Sequence, residues 1–121
     1  MKTEEIIEQV NDAINKVFEK IPKGFEERIY QKALCYELEK RNIKFYEEES
    51  QPFIYEGKFL CSFRPDIFIP TKDGDYILEL KHKASLDGRD TIQLQRYLFG
   101  MNETYGSLVN FGTRKIRDYV L

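Results

Sequence analysis

Asp66, Glu79 and Lys81 are the residues of this chain whose types and spacing best suit chemistry. They belong to one stretch, Arg64 to Lys81: Arg-Pro-Asp-Ile-Phe-Ile-Pro, then Thr-Lys-Asp-Gly-Asp, then Tyr-Ile-Leu-Glu-Leu-Lys. Two apolar runs around an Asp-Gly predict a β-hairpin. Side chains alternate along a strand, so Glu79 and Lys81 share one face while Leu78 and Leu80 take the other. A four-residue loop, Thr71–Gly74, would set Asp66 opposite Glu79 and Arg64 opposite Lys81. A tighter turn centred on Asp73-Gly74 would slide the pairing by two residues and set Asp66 opposite Lys81. Both registers keep Asp66, Glu79 and Lys81 on one face. Adjacent carboxylates repel unless something positive stands between them. A divalent metal ion fits that place, with Lys81 as a fixed cation beside it. Taken alone, Glu79 and Lys81 would equally make a solvent-exposed salt bridge. Asp66 on the same face, with Leu78 and Leu80 facing a core, favours the site.

These residues need elements to hold them. Thr3 suits a helix cap, and Glu4 and Glu5 suit a first helical turn. Ile6, Ile7, Val10, Ile14, Val17, Phe18 and Ile21 then recur at helical spacing, until Pro22-Lys23-Gly24 stops the pattern. A second helix is expected from Phe25 to Arg41, with Phe25, Ile29, Ala33, Leu34 and Leu38 buried and Asn42 as a left-handed stop. Glu27 and Tyr30 share another of its faces. As a first-turn acid, Glu27 is also explained by the helix dipole alone. After Ile43 to Tyr46 and the acidic run Glu47 to Glu49, Phe53 to Tyr55 and Phe59 to Phe63 read as a hairpin around Glu56-Gly57-Lys58. Its second strand runs straight into Arg64–Asp66, which predicts a single three-stranded meander. Asp87-Gly88-Arg89-Asp90 can cap a third helix with Ile92, Leu94, Tyr97, Leu98 and Met101 apolar and Gln93 one turn from Tyr97. Gln93 taken alone would pass as a surface amide. Leu108 to Phe111 suits a strand buried on both faces, with a right-handed parallel crossover from the hairpin. Ile116 to Leu121 is a last weak strand or tail.

The length, 121 residues, suits one domain, and 41% hydrophobic content is ordinary for a globular fold. A net charge of -2 argues against a broad basic surface. Arg64, Lys81, His82, Lys83, Arg89 and Arg96 nevertheless cluster in sequence around the hairpin. Arg64, Lys83, Arg89 and Arg96 are therefore candidate substrate contacts, unless they are simply solvated charges. Cys35 and Cys61 form no metal-ligand spacing and are expected to be reduced and buried. His82 cannot build a zinc centre alone, and on a continued strand it faces away from Lys81, which suits a structural role. No apolar run approaches a membrane span, and Met-Lys-Thr-Glu-Glu is not a signal peptide. The expectation is a cytoplasmic protein without a membrane partner.

Pro65-Asp66, the turn, and Glu79-Leu80-Lys81 together resemble the signature of the PD-(D/E)xK nuclease superfamily. Gly24-Phe25-Glu26-Glu27-Arg28-Ile29-Tyr30 resembles the motif of the small GxxExxY proteins within it. Arg64-Pro65-Asp66, Gln93 to Leu98 and Leu108 to Gly112 match later blocks in the same order, so the resemblance runs over residues 20 to 121. It implies an α/β restriction-endonuclease-like core, with a mixed central β-sheet flanked by helices in ααβββαβ order. It also implies a magnesium-dependent (or manganese-dependent) phosphodiesterase site acting on nucleic acid, DNA or RNA. Asp66 and Glu79 would be metal ligands, with the Leu80 carbonyl a third. Lys81 would activate or orient the attacking water, Glu27 would bind metal through water or complete a second site, and Gln93 would position water, substrate or a neighbouring site residue. Tyr30 and Tyr97 match the pattern without an assigned role. The residue types fit that chemistry independently, since magnesium prefers a few hard oxygen ligands and keeps its waters. A chain this small has little surface for gripping a duplex, which makes a homodimer one solution. The rival reading is a catalytically silent domain of the same fold that binds nucleic acid or protein.

Overall fold

The computed structural model describes residues 1–103 and 105–120. Two helices come first, α1 (Thr3–Lys20) and α2 (Glu27–Lys40). The strands are β1 (Tyr46–Glu47), β2 (Gln51–Tyr55), β3 (Lys58–Phe63), β4 (Ile67–Thr71) and β5 (Gly74–Lys81). Helix α3 (Gly88–Gly100), β6 (Tyr105–Asn110) and β7 (Lys115–Val120) complete the order. Leu121, expected in the last strand, lies outside the described residues. Among the described residues no helix is long and apolar enough to cross a membrane.

The helix periodicities read from the sequence hold, with corrections at the ends. Val10, Ala13, Ile14, Val17 and Phe18 form the buried stripe of α1. Thr3 is not its cap: it lies inside the helix and donates to Asp73 Oδ2 at 2.5 Å, tying α1 to the β4–β5 turn. Helix α2 starts two residues later than expected, at Glu27, and Phe25 is exposed rather than buried. The cause is Tyr30. Its buried hydroxyl donates to the Pro22 carbonyl at 2.8 Å and accepts from the Phe25 N–H at 3.2 Å. Those bonds, with Gly24 at φ 109°, hold the preceding segment as a loop. Asn42 ends α2 in the left-handed conformation, as its type predicts.

The main sheet of the described residues has the order β1-β4-β5-β6-β7. The expected three-stranded meander does not form, because β2 and β3 make a separate two-stranded sheet. Arg64 and Pro65 interrupt the chain between β3 and β4, and β1 occupies the far edge of β4 through Tyr46↔Phe68 and Glu47↔Ile67. The β2–β3 ribbon leans instead on α3, where Phe53 meets Phe99 and Phe63 meets Tyr97. A Cβ at Gly100 would collide with the Phe63 ring, so the missing side chain permits that approach. Cys61, expected to be buried, is exposed on this ribbon, whereas Cys35 is buried in α2.

The β4–β5 hairpin takes the first of the two anticipated registers, with Pro70 opposite Asp75, and adds the pair Thr71↔Gly74. Strand β6 runs parallel to β5 and is buried from Gly106 to Asn110. Helices α1 and α2 cover one sheet face, packing Ile14, Leu34 and Leu38 with Ile67, Leu78, Leu80 and Val109. Helix α3 covers the other, packing Leu94 and Leu98 with Phe68, Ile77 and Leu108. Ile92, expected in that apolar set, is 46% exposed on the outer side of α3. Truncating a core leucine such as Leu94 to alanine should cost about 2–5 kcal/mol.

Candidate active site

Continued one residue past β4, the hairpin register sets Asp66 opposite Glu79. The Asp66 N–H donates to Glu79 Oε1 at 3.0 Å, and the Leu80 N–H donates to Asp66 Oδ2 at 2.7 Å. One step further the register would set Pro65 opposite Leu80, and proline has no N–H to give. The Asp66 carboxylate takes the Leu80 N–H in place of a backbone carbonyl. The Leu80 carbonyl, which points to the same edge as its N–H, meets no ladder donor. The neighbouring Lys81 carbonyl points the other way and accepts from the Phe111 N–H at 2.8 Å. The two carboxylates and the Leu80 carbonyl thus lie together where the β4–β5 ladder ends, just past Ile67↔Leu78.

Electrostatics at this edge are strained. Glu79 is only 3% exposed. Burial, then the neighbouring Asp66 charge, push its carboxyl up to about 8, although the Asp66 N–H and Lys81 pull the other way. Burial also raises Asp66, against the Leu80 N–H and Lys81. Glu27, at the first turn of α2, is raised by desolvation and by Asp66, and is steadied by Lys81 and His82. Among the described residues, none of these three acids takes part in a salt bridge. Nor do three or more His, Cys, Asp and Glu side chains gather there as a ready metal cage. Glu27 opens instead on a cavity of about 380 Å³ that Asp66 shares with Glu47, Glu48, Arg28 and Lys32.

Lys81 lies on the same face, held from α3. Its Nζ donates to Gln93 Oε1 at 2.8 Å and stands 3.8 Å from Asp90 Oδ1. Gln93 in turn donates to Tyr97 Oη at 3.3 Å. Burial and the Glu79 charge raise the Tyr97 phenol, so that hydroxyl keeps its proton beside the acids. The turn of helix between Gln93 and Tyr97 therefore carries the hydrogen bonds that run from Lys81 to the Tyr97 hydroxyl.

Known proteins extend this picture. The sequence profile of the PD-(D/E)XK nuclease superfamily matches residues 4–120. This chain belongs to that superfamily. A solved structure described as the crystal structure of SSO0001 resembles it with a TM-score of 0.55 at 26% identity, over 76% of this chain and 48% of that one. The chain thus spans about half the length of that protein. A second, described as Hjc, a Holliday junction resolvase of the archaeal hyperthermophile Archaeoglobus fulgidus, gives 0.42 at 19% identity over 74% of each chain. No curated protein sequence matches.

In this PD-(D/E)XK chain, Asp66, Glu79, Lys81 and Gln93 converge, and Glu27 stands beside them. The other anticipated residues are dispersed. Arg64 is exposed and donates to the Glu48 carbonyl at 3.1 Å. Lys83 is drawn onto Asp90 at 2.9 Å and Asp87 at 3.7 Å. Arg89 pairs with Asp87 at 3.1 Å while its side chain stays 91% exposed. Arg96 is exposed on α3. His82 is exposed and lies tilted against Tyr30, with ring centroids 5.3 Å apart. Sequence reasoning missed Asp90. It closes the capping box of α3 with Asp87 and, at 5% exposure, steadies both Lys81 and Lys83. The signal was the Asp-x-x-Asp spacing, read only as a cap.

Proposed function

We propose that this protein is a metal-dependent nuclease that hydrolyses phosphodiester bonds of DNA or RNA in the cytoplasm, as a monomer or a homodimer. The observation that carries this reading is the Asp66–Glu79 pair, with Glu79 buried and Asp66 half-buried, hydrogen-bonded through the backbone and with no salt bridge among the described residues. Buried carboxylates cannot both stay charged without compensation. They must retain a proton or take up a cation. The donor set fits a hard cation, because the two carboxylates and the Leu80 carbonyl offer only oxygen. Magnesium or manganese needs no more than one or two carboxylates and retained waters. Glu27 would hold one of those waters from across the groove. A bound ion would supply Lewis acidity at a phosphodiester oxygen.

The rest of the chemistry falls to the chain. Lys81, between Gln93 and Asp90, offsets charge gathering on the phosphate and orients the attacking water. Gln93 aims that ammonium and is itself held by the Tyr97 hydroxyl. Asp90 acts through the two lysines as a positioning residue.

Purified protein given magnesium or manganese should cut one or more of single-stranded DNA, duplex DNA, branched DNA and RNA. Asp66→Ala and Lys81→Ala should each abolish cutting without loss of fold. Failure of the folded protein to bind either ion by calorimetry would overturn the proposal. Metal and nucleic-acid binding without cutting would favour the silent binding domain. That reading draws support from the neutralised state of Lys83 and Arg89.

A further inference from the structure

A cavity of about 350 Å³ opens at the far end of β6 and β7, lined by Ala84, Ser85, Asn110, Thr113, Lys115 and Arg117 among others. It contains two cations, two hydroxyls and an amide, and no carboxylate. Among the described residues neither Lys115 nor Arg117 forms a salt bridge, although the chain carries a net charge of -2. The contrast with Lys83 and Arg89, both paired, is direct.

The strand registers place this cavity relative to the site. Lys81 stands beside Asn110 across β5–β6, and Asn110 stands beside Lys115 across β6–β7. Residues directly opposite share a face, so Lys81, Asn110 and Lys115 form a row on the α3 side of the sheet. Arg117, opposite Leu108 of the α3-side core, points the same way. Two strand spacings separate Lys81 from Lys115, about 10 Å. That is the length of roughly three stacked nucleotides of one strand.

The floor is rigid. Asn110 is fully buried, and its Oδ1 accepts from the Lys83 and Gly112 N–H groups at 3.0 Å each. Its Nδ2 donates to the Lys83 carbonyl at 3.0 Å. A Cβ at Gly112 would collide with that carbonyl, so the turn and the segment after β5 are pressed together. Asn110 therefore holds the catalytic strand end and the cationic cavity at a fixed spacing.

We propose that this cavity is a phosphate subsite, in which Lys115 and Arg117 hold the nucleic-acid backbone a few nucleotides from the bond placed at Lys81. The inference rests on the nuclease reading and adds how the strand is gripped, with Ser85 and Thr113 as neutral donors. It requires sequence-independent contact, since phosphates carry no base identity.

The test is a salt titration of binding. A labelled single-stranded 20-nucleotide DNA and the matching duplex are titrated by anisotropy in metal-free buffer, where nothing is cut. Lys115→Ala/Arg117→Ala should weaken both about tenfold or more at low salt. It should also reduce the slope of log affinity against log salt by roughly 1.4 for the single strand and 1.8 for the duplex. Lys2→Ala/Lys72→Ala removes equal charge at the other end of the hairpin and should leave the slope unchanged. Wild-type affinity and slope in the Lys115/Arg117 variant, with cutting intact, would overturn this proposal and leave the nuclease reading standing. Binding lost as predicted from a protein that never cuts would keep the subsite and remove the nuclease. Inorganic phosphate bound at Lys115 without any oligonucleotide binding, or no binding at all, would overturn the subsite.

Discussion

Two buried glutamates in this molecule are handled in opposite ways. Glu37 on α2 is 8% exposed and is met by Arg41 at 2.6 Å, Lys40 at 3.1 Å and Lys16 at 3.4 Å. Burial pushes its carboxyl up, but hydrogen bonds from Arg41, Lys40 and Lys16 outweigh that and hold it at about 2. What covers Glu37 is largely its own cationic partners, so the charge stays close to water. Glu79 is enclosed by the sheet and α3, has Asp66 for a neighbour, and is held at about 8. The fold can neutralise a buried acid when stability requires it. Glu79 and Asp66 receive only backbone N–H groups and the nearby Lys81, with no salt bridge among the described residues, and that contrast is what supports the proposed ion site.

The largest effect should come from breaking the uncompensated side. Lys81→Ala removes a fixed charge in a partly buried site, and cleavage should fall about 10²–10³-fold or more, read as kcat under saturating metal. Glu37→Ala should leave kcat within a factor of about 2, because Glu37 touches no residue of the site; activity lost equally in both variants would dissolve the contrast.

Next in size is stability against pH. Glu79 is raised in the folded state, so its favourable contribution is complete below pH 4.5 and is lost as pH climbs through about 8. In metal-free buffer the melting temperature should decline across that window, and Glu79→Gln should flatten the decline. The gain at pH 9 would be on the order of a few kcal/mol, since each tenfold change in proton affinity on folding is worth ~1.4 kcal/mol. Asp66→Ala should act in the same direction by removing repulsion. Magnesium should stabilise the protein more at pH 9 than at pH 6, because at the higher pH no proton has to leave. A melting curve independent of pH between 5 and 9 in the wild type would contradict a raised, buried Glu79.

Much of this was legible in residues, and the losses have physical causes. The Asp-Gly turn and strand alternation gave the hairpin and one face for Asp66, Glu79 and Lys81. Helical spacing located α1 and α3. Partner choice was not legible. A strand such as β3 carries the same alternation whether it joins the main sheet or folds onto α3. The clue that it leaves the sheet, Pro65, was read as part of a motif and not as a missing N–H. Exposure failed for Phe25, Ile92 and Cys61 for the same reason, since each depends on which surface comes to cover it. Nothing in the spacing of Lys115 and Arg117 singles them out; only the strand order puts them in a row with Lys81.

The smallest effect should sharpen the compensated side. Glu37→Gln keeps the shape but lowers the attraction felt by Lys16, Lys40 and Arg41, at a cost of about 1 kcal/mol near water. At pH 7 the melting temperature should drop by roughly 4 °C. Here the sign of the pH dependence reverses. A carboxyl held at about 2 contributes stability that is complete above 4.5 and vanishes as pH falls through 2. The penalty of Glu37→Gln should therefore disappear in strong acid, where the wild type has lost the same interactions. The Glu79→Gln gain should disappear there as well, but across a window above 4.5 that the Glu37 window does not overlap. Measured together, the two variants separate an acid the fold has satisfied from one it has left for a ligand. If both show the same pH profile, the difference in their surroundings does not govern their ionisation.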